Sequence, residues 1–181
     1  MAPLFAFGHA CEFLVAKVEI TRDLVILEIT ADYGGNPMIA DEEAARVALK
    51  NILQIHAGGQ THALETLAPL NFEHRQQWDP ATPANFSPPP DGQTHQLLTA
   101  VWRWKPKARE IAFGVPDGSP NDVLLWTTAG QLPGKDVQWM LLIEGESTPA
   151  IQLPRHSGMT WTWITGAVAM VLMLTAVRRR I

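Results

Sequence analysis

The chain has 181 residues, of which 46% are hydrophobic and 18% are charged, so it suits one compact domain and is too apolar for a disordered chain. Its single Cys excludes an intrachain disulfide framework and a zinc site built from several cysteines. The net charge is −4, and without the three arginines at positions 178–180 it is −7, so the body lacks the clustered cations that a nucleic-acid partner requires.

The first eight residues are typical of the end of a signal peptide. They form an apolar run without Lys or Arg, and the small residues Ala6 and Gly8 suit cleavage before His9. Cleavage before Cys11 is an alternative, and it would leave an amino-terminal Cys that a lipid could modify. We therefore expect residues 1–8 to be a signal-peptide remnant and the domain that follows to be exported.

Two segments rich in β-branched residues follow, at 11–21 and 24–31, and their separation by Arg22 and Asp23 predicts a hairpin. The one predicted soluble helix covers residues 41–55, since Asp41 can cap it and apolar residues recur at helical spacing. The glycines at 58 and 59 can end this helix. We expect its apolar face to contact a sheet.

Further strands are predicted at residues 61–72, 95–104, 110–115, 122–128, 137–144 and 149–153. The turn residues between them are typical of an antiparallel meander or sandwich. Residues 79–92 are rich in Pro and predict an irregular loop inside the domain. The predicted fold is therefore mainly β: an antiparallel β-sandwich-like exported domain over residues 9–154 with one packed α-helix.

Tryptophans are frequent in the predicted strands, where large rings ordinarily fill a core. Within residues 98–104, alternation places Ala100, Trp102 and Trp104 on one face and Val101 and Arg103 on the other. We expect the strand tryptophans to pack in the core, with a binding platform as the alternative. They are Trp102, Trp104, Trp126 and Trp139.

The strongest signal is an apolar run at residues 157–177. These 21 residues contain no charged side chain and would form a helix of about 32 Å, enough to cross a hydrocarbon core of about 30 Å. A buried core helix is the alternative, although such a helix usually has a polar face. We expect a transmembrane helix at residues 157–177.

The residues around this run indicate how it would lie in a membrane. Trp161 and Trp163 suit the interface between lipid and water, and a basic tail follows at residues 178–181. Since basic flanks resist translocation, the tail would be cytoplasmic and the main domain periplasmic or extracellular, a type I arrangement. A tail-anchored protein of opposite orientation is the alternative. The predicted membrane anchor comprises Trp161, Trp163, Arg178, Arg179 and Arg180.

The six histidines suggest a metal hypothesis, although none forms an HxH pair or an HExxH motif. If His9 is the mature amino terminus, its amino group and imidazole could chelate a metal, and a strand histidine would complete a three-nitrogen copper site. The candidates for that ligand are His62, His74 and His95. In beginning with His, such a chain resembles periplasmic copper-binding sandwiches. The alternative is an ordinary terminus with surface histidines and no metal.

Motifs for catalysis or nucleotide binding are absent, since the sequence contains neither GxSxG nor GxGxxG. Acidic residues such as Glu19, Glu28 and Asp32 alternate with apolar ones, so we expect them to face solvent. We predict no enzyme activity. The sequence favours a single-pass, membrane-anchored β domain that acts by binding or as an accessory subunit, with the lipid bilayer and other membrane subunits as partners. A periplasmic copper-binding protein is the alternative.

Overall fold

Two β-sheets, mostly antiparallel, and two short helices form the part of the chain that the computed structural model describes, which is residues 13–21, 24–80, 82, 95–127 and 138–153. This confirms the predicted mainly β class. The six-stranded sheet has the order β5-β6-β2-β1-β8-β9, and the four-stranded sheet has the order β10-β7-β3-β4. The elements are β1 Leu14–Ile20, β2 Val25–Asp32, α1 Glu42–Asn51, β3 Gln54–Ala57, β4 Gln60–Ala63, α2 Leu64–Leu67, β5 Asn71–Arg75, β6 Leu97–Trp104, β7 Glu110–Gly114, β8 Val123–Thr127, β9 Gln138–Leu142 and β10 Ile151–Gln152.

The predicted hairpin is confirmed, because β1 and β2 pair antiparallel from Val15 with Thr30 to Ile20 with Val25. Alternation along β1 buries Leu14, Ala16 and Val18 completely on one face. On its other edge, β1 pairs in parallel with β8, which an antiparallel meander does not contain. This pairing joins strands about a hundred residues apart, so no local pattern indicates it.

Helix α1 begins as predicted but ends earlier. The Asp41 side chain accepts a hydrogen bond from the Ala44 backbone N–H at 2.8 Å, and α1 contacts β2 and β6 of the six-stranded sheet. The expected continuation to residue 55 is wrong, because Gln54–Ala57 pairs with β7 as a strand. Gly58 and Gly59, with φ of 60° and 76°, form the tight turn of the β3–β4 hairpin instead of ending the helix.

The single strand predicted over residues 61–72 is also wrong, because the chain divides there into β4, α2 and β5. Strand β4 belongs to the four-stranded sheet and β5 to the six-stranded sheet, so the chain must change sheets between them. Pro69, which cannot donate a ladder hydrogen bond, stands in this connection.

One core lies between a face of the six-stranded sheet and the layer formed by α1 and the four-stranded sheet. Leu27 and Trp102 of the large sheet, Leu49 of α1 and Phe113 of β7 are at most 1% exposed and belong to the same hydrophobic cluster. Trp104 also lies in this cluster, as predicted for the strand tryptophans.

Trp126 does not join this core. It pairs with Lys17 in the β1–β8 register, which places it on the opposite face of the large sheet, where it is 2% exposed. There its ring lies 5.3 Å from that of Trp139, and the Lys17 ammonium lies over it at 5.3 Å. Packing therefore occurs on both faces of this sheet.

No helix among the described residues is long and apolar enough to cross a membrane. The predicted span at 157–177 lies outside the described residues, as do the expected signal remnant at 1–8 and Cys11. The anchor residues that flank the span lie outside them as well, namely Trp161, Trp163, Arg178, Arg179 and Arg180.

Candidate functional site

The histidines predicted as metal ligands are dispersed in the part of the chain that is described. His62 lies on β4 of the four-stranded sheet, His74 lies on β5 of the six-stranded sheet, and His95 precedes β6. His9 lies outside the described residues. Within the described ranges, no group of three or more His, Cys, Asp or Glu side chains could hold a metal ion.

His74 belongs to a surface cluster that joins α1 to β5. Its Nε2 lies 3.1 Å from a carboxylate oxygen of Glu42, and Arg46 donates to the same oxygen through Nε at 3.1 Å. The Arg46 guanidinium also lies 4.6 Å from the centre of the Phe72 ring. Hydrogen bonds from Arg46 and then from His74 lower the pKa of Glu42. The cluster stabilises the contact between helix and sheet.

His95 lies against Asp32, and this pair corrects the expectation that Asp32 faces solvent. Asp32, at the end of β2, is only 2% exposed. Its Oδ2 lies 2.6 Å from Nδ1 of His95, and its Oδ1 accepts hydrogen bonds from the backbone N–H groups of Gly34 and Gly35, each at 3.1 Å. The ring of Trp78 meets the imidazole edge-on at 5.9 Å. The carboxylate is thus buried with its oxygens hydrogen-bonded.

The turn after β2 lies in close contact with the Asp32 carboxylate. A Cβ on Gly35 would come within 2.9 Å of Oδ2 of Asp32, so a larger residue there would displace the oxygen that contacts His95. When Nδ1 donates to Asp32, Nε2 is the nitrogen left for a ligand. A carboxylate that orients an imidazole in this way is typical of metal-binding and of general-base histidines.

A second histidine, His56, is the middle member of a row of three hydrogen-bonded side chains that the sequence did not indicate. On the outer face of the four-stranded sheet, its Nδ1 lies 3.0 Å from the Thr61 hydroxyl and its Nε2 lies 3.2 Å from the Ser147 hydroxyl. The row passes over Gly114, where a Cβ would lie 2.5 Å from Nε2 and 2.6 Å from Oγ of Ser147. Gly114 is therefore required for this contact.

A hydroxyl bonded to an imidazole is the arrangement that activates a nucleophilic Ser. Ser147 is exposed, however, and neither Ser147 nor His56 is among the lining residues of the two grooves described below. The row instead links β4, β3 and the segment before β10 by side-chain hydrogen bonds. Because Ser147 and His56 are 91 positions apart, no local motif could have revealed it.

The basic groove, as we name it, lies between the four-stranded sheet and the end of β6. Its volume is about 570 Å³, its floor is apolar, and Lys105, Lys107 and His62 lie along it with no carboxylate among the described lining residues. Trp104, which is 8% exposed, closes one wall. The groove is lined by Ile55, Ala57, Gly58, Gln60, His62, Thr66, Leu67, Trp104, Lys105, Pro106, Lys107, Ala108 and Ile111.

The acidic groove lies between α1 and the loop that joins β7 to β8. Its volume is about 670 Å³, and its lining includes Asp41, Glu43 and Asp117 but no Lys or Arg among the described residues. Met38 and Val47, which are 63% and 55% exposed, contribute apolar surface to it. The turn at 105–109 precedes β7 and the loop at 116–121 follows it, so the two grooves lie at opposite ends of this strand.

The described part of the chain includes two grooves of opposite charge and two hydrogen-bonded histidine groups that are not part of either lining. Comparisons of the chain with protein-family models, with curated proteins and with solved structures found no significant match.

Proposed function

We propose that this protein is a single-pass membrane protein whose β-rich domain lies in the periplasm or the extracellular space and acts by binding or as an accessory subunit. Residues 157–177 would cross the bilayer, and residues 178–181 would lie in the cytoplasm. The exported part would be an antiparallel, β-sandwich-like domain over residues 9–154. The absence of charge from 157–177 and the arginines that follow support this arrangement.

The observation that carries the proposal is the sequence of the run itself: residues 157–177 contain no charged side chain, and three arginines follow directly. Burial of the apolar side chains of such a run in a bilayer contributes about 25 cal/mol per Å². Among the described residues, 27 buried side chains join both sheets to α1 in one cluster, so the proposed exported part has a hydrophobic core.

The distribution of polar groups supports binding over catalysis. Each large groove carries charge of one sign beside apolar surface, which suits recognition of a charged partner. The groups that could act as acid and base, His95 with Asp32 and His56 with Ser147, lie outside both grooves. We therefore infer no enzyme activity.

Fractionation of cells that express the full chain tests the anchor. We expect the protein to stay with membranes after alkaline carbonate extraction and to dissolve only with detergent. A matched variant with Val168→Arg and Met170→Arg introduces two charges close to the middle of the run, where each costs about 3 kcal/mol in a transmembrane helix. This variant should move to the aqueous fraction, and recovery of the wild type there without detergent would contradict the proposal.

Reporter fusions after Ile181 test the orientation. A phosphatase that is active only outside the cytoplasm should be inactive there, and a fluorescent protein that matures in the cytoplasm should fluoresce. Replacing the three terminal arginines by Glu should weaken this preference. An active phosphatase on the wild-type chain would place the C-terminus outside the cytoplasm and would contradict the proposed orientation.

One observation favours the copper-binding alternative: His95 lies at the edge of the six-stranded sheet where β1 begins. The start of β1 is next to the end of β2, because Val15 pairs with Thr30, and Asp32 pairs with Leu97. His9 precedes Phe13 by four residues, which span at most about 14 Å. A site would combine the His9 amino group and imidazole with Nε2 of His95, which Asp32 orients.

Titration of copper(II) into the full chain, with the amino terminus identified by mass spectrometry, tests this alternative. We expect one-to-one binding that His9→Ala and His95→Ala abolish and that Asp32→Asn weakens by about 10–100-fold. His62→Ala, in the other sheet, is the matched control and should leave binding unchanged. Binding that survives both His9→Ala and His95→Ala would refute the site.

A further inference from the structure

The described domain ends beside a basic turn. The backbone N–H of Leu153 donates to the carbonyl of Arg109 at 3.0 Å, and β10 runs antiparallel to β7 towards its beginning. The chain therefore leaves the fold next to the turn at residues 105–109, which carries Lys105, Lys107 and Arg109.

This turn holds most of the described cations that form no ion pair with a described carboxylate. Among the eight Lys and Arg in the described ranges, four form ion pairs with described carboxylates. Of the four that form none within those ranges, three are in this turn, and the fourth is Lys50 at the end of α1. Glu110 follows the turn and its carboxylate accepts a hydrogen bond from the neutral amide of Gln152 at 2.8 Å, but Glu110 is not among the lining residues of the basic groove. In a domain with a negative net charge, this grouping favours an anionic partner.

The basic groove opens at the same end of the domain. Lys105 and Lys107 line it together with His62 and Gln60, above a floor that includes Ile55 and Ile111. Such a lining offers positive charge and hydrogen-bond donors to a phosphate and apolar surface to the carbons attached to it. The acidic groove, which would repel an anionic surface, lies at the opposite end of β7.

The proposed anchor would bring this end of the domain to the membrane. Ser157, where the predicted span begins, is four positions after Leu153, a separation of at most about 14 Å. The headgroup region adds about 5–8 Å on each side of the hydrocarbon core, and charges interact in physiological salt over about 8 Å. The turn and groove are thus within reach of lipid headgroups.

We propose that the basic groove binds the phosphate headgroup of an anionic membrane lipid, with Lys105 and Lys107 contacting the phosphate. This inference rests on the membrane anchor of the proposed function. It adds to that function a lipid class and an orientation, in which the four-stranded sheet lies nearest the bilayer and α1 begins farther from it.

Native mass spectrometry of the full chain in mild detergent tests this proposal. The probes are dihexanoyl phosphatidylglycerol, the zwitterionic phosphatidylcholine of the same chain length, and inorganic phosphate. We expect selective retention of the phosphatidylglycerol, and about fivefold weaker binding for each lysine that is removed, or about thirtyfold for Lys105→Ala with Lys107→Ala.

Two controls isolate the groove. Lys50→Ala removes an exposed lysine that also forms no ion pair with a described carboxylate, and it should leave binding unchanged, whereas Lys105→Arg with Lys107→Arg should preserve it. Equal retention by the double alanine variant and the wild type would overturn the proposal, as would equal retention of the two lipids. Binding of inorganic phosphate as tightly as of phosphatidylglycerol would overturn the assignment to a lipid.

Failure of the anchor is measured separately, by carbonate extraction. If the full chain is recovered without detergent, flotation with phosphatidylglycerol vesicles replaces the detergent assay. Flotation that the double alanine variant loses would then support the groove while the anchor fails, and flotation that this variant keeps would overturn the groove as well.

Discussion

Removal of the Asp32 carboxylate should destabilise the domain more than removal of any exposed carboxylate. Asp32→Ala deletes the acceptor of three hydrogen bonds, from the backbone N–H groups of Gly34 and Gly35 and from Nδ1 of His95. The side chain of Asp32 is 3% exposed and that of His95 is 13% exposed, so water cannot replace all of these bonds.

The magnitude follows from the number of bonds and the exposure of their donors. A hydrogen bond to a charged group contributes about 1.5–3 kcal/mol. Gly34 is exposed, so water can satisfy its N–H, which leaves two bonds and a loss of about 3–6 kcal/mol in the free energy of unfolding. Asp32→Asn keeps an oxygen for both glycines and should lose only about 1–2 kcal/mol.

Urea unfolding of the full chain in non-ionic detergent, followed by tryptophan fluorescence, measures these differences because Trp102 and Trp126 are buried. The matched control is Asp41→Ala, which removes one exposed capping bond and should cost about 1 kcal/mol. If Asp32→Ala costs no more than Asp41→Ala, the buried three-bond arrangement is not what stabilises this turn.

Three further changes probe other parts of the fold. The hydroxyls of Thr30 and Thr99 lie 2.9 Å apart in a buried pair, so Thr99→Val alone should cost about 1–2 kcal/mol of unfolding free energy. The double valine variant should be close to the wild type in the same urea assay. If the double variant costs as much as Thr99→Val, the pairing is contradicted. Gly114→Ala should separate Ser147 from His56 and cost about 1 kcal/mol. Thermal unfolding should show a smaller cost in a background with both His56→Ala and Ser147→Ala, which removes the two side chains that the new Cβ would meet; a full cost there would contradict the steric reason. Burial opposes the charge of the Lys17 ammonium, but hydrogen bonds to Asp79 and Glu19 outweigh it and raise the pKa of Lys17. Its contribution to stability is therefore fully present below the ordinary lysine pKa of about 10.4 and is lost as the pH rises through the raised value. Lys17→Met should differ from the wild type in urea unfolding at neutral pH and converge with it in strong alkali, and a constant difference would contradict this linkage.

The strands could be predicted wherever alternation is strong. In β6, Trp102 and Trp104 face the core while Arg103 faces outwards, as the period of two requires. The prediction failed at the end of α1 and between β4 and β5. The pattern of apolar residues there is compatible with a helix and with a strand, and pairing with a neighbouring strand determines which of the two forms. Gln54–Ala57 is a strand because β7 lies beside it.

The candidate site could be predicted only in part. His62 and His95 were singled out by residue type, but their surroundings depend on residues far along the chain: Asp32 is 63 positions from His95, and the lysines beside His62 come from the turn after β6. Composition indicated an acidic body and an uncharged terminal run. It did not indicate that Lys105 and Lys107, which form no ion pair with a described carboxylate, line one groove.

The local sequence of this protein determined the strands in which alternation is strong, the residue at which α1 begins, and the position of an apolar run long enough for a bilayer. Tertiary structure alone decided which strands pair, that β1 lies parallel to β8, that Asp32 is buried against His95, and that the two large grooves carry opposite charge. The physical reason is the distance along the chain over which each interaction acts. Periodicity and capping act over a few residues, whereas burial, ion pairing and the joining of distant strands depend on contacts that exist only after the chain has folded.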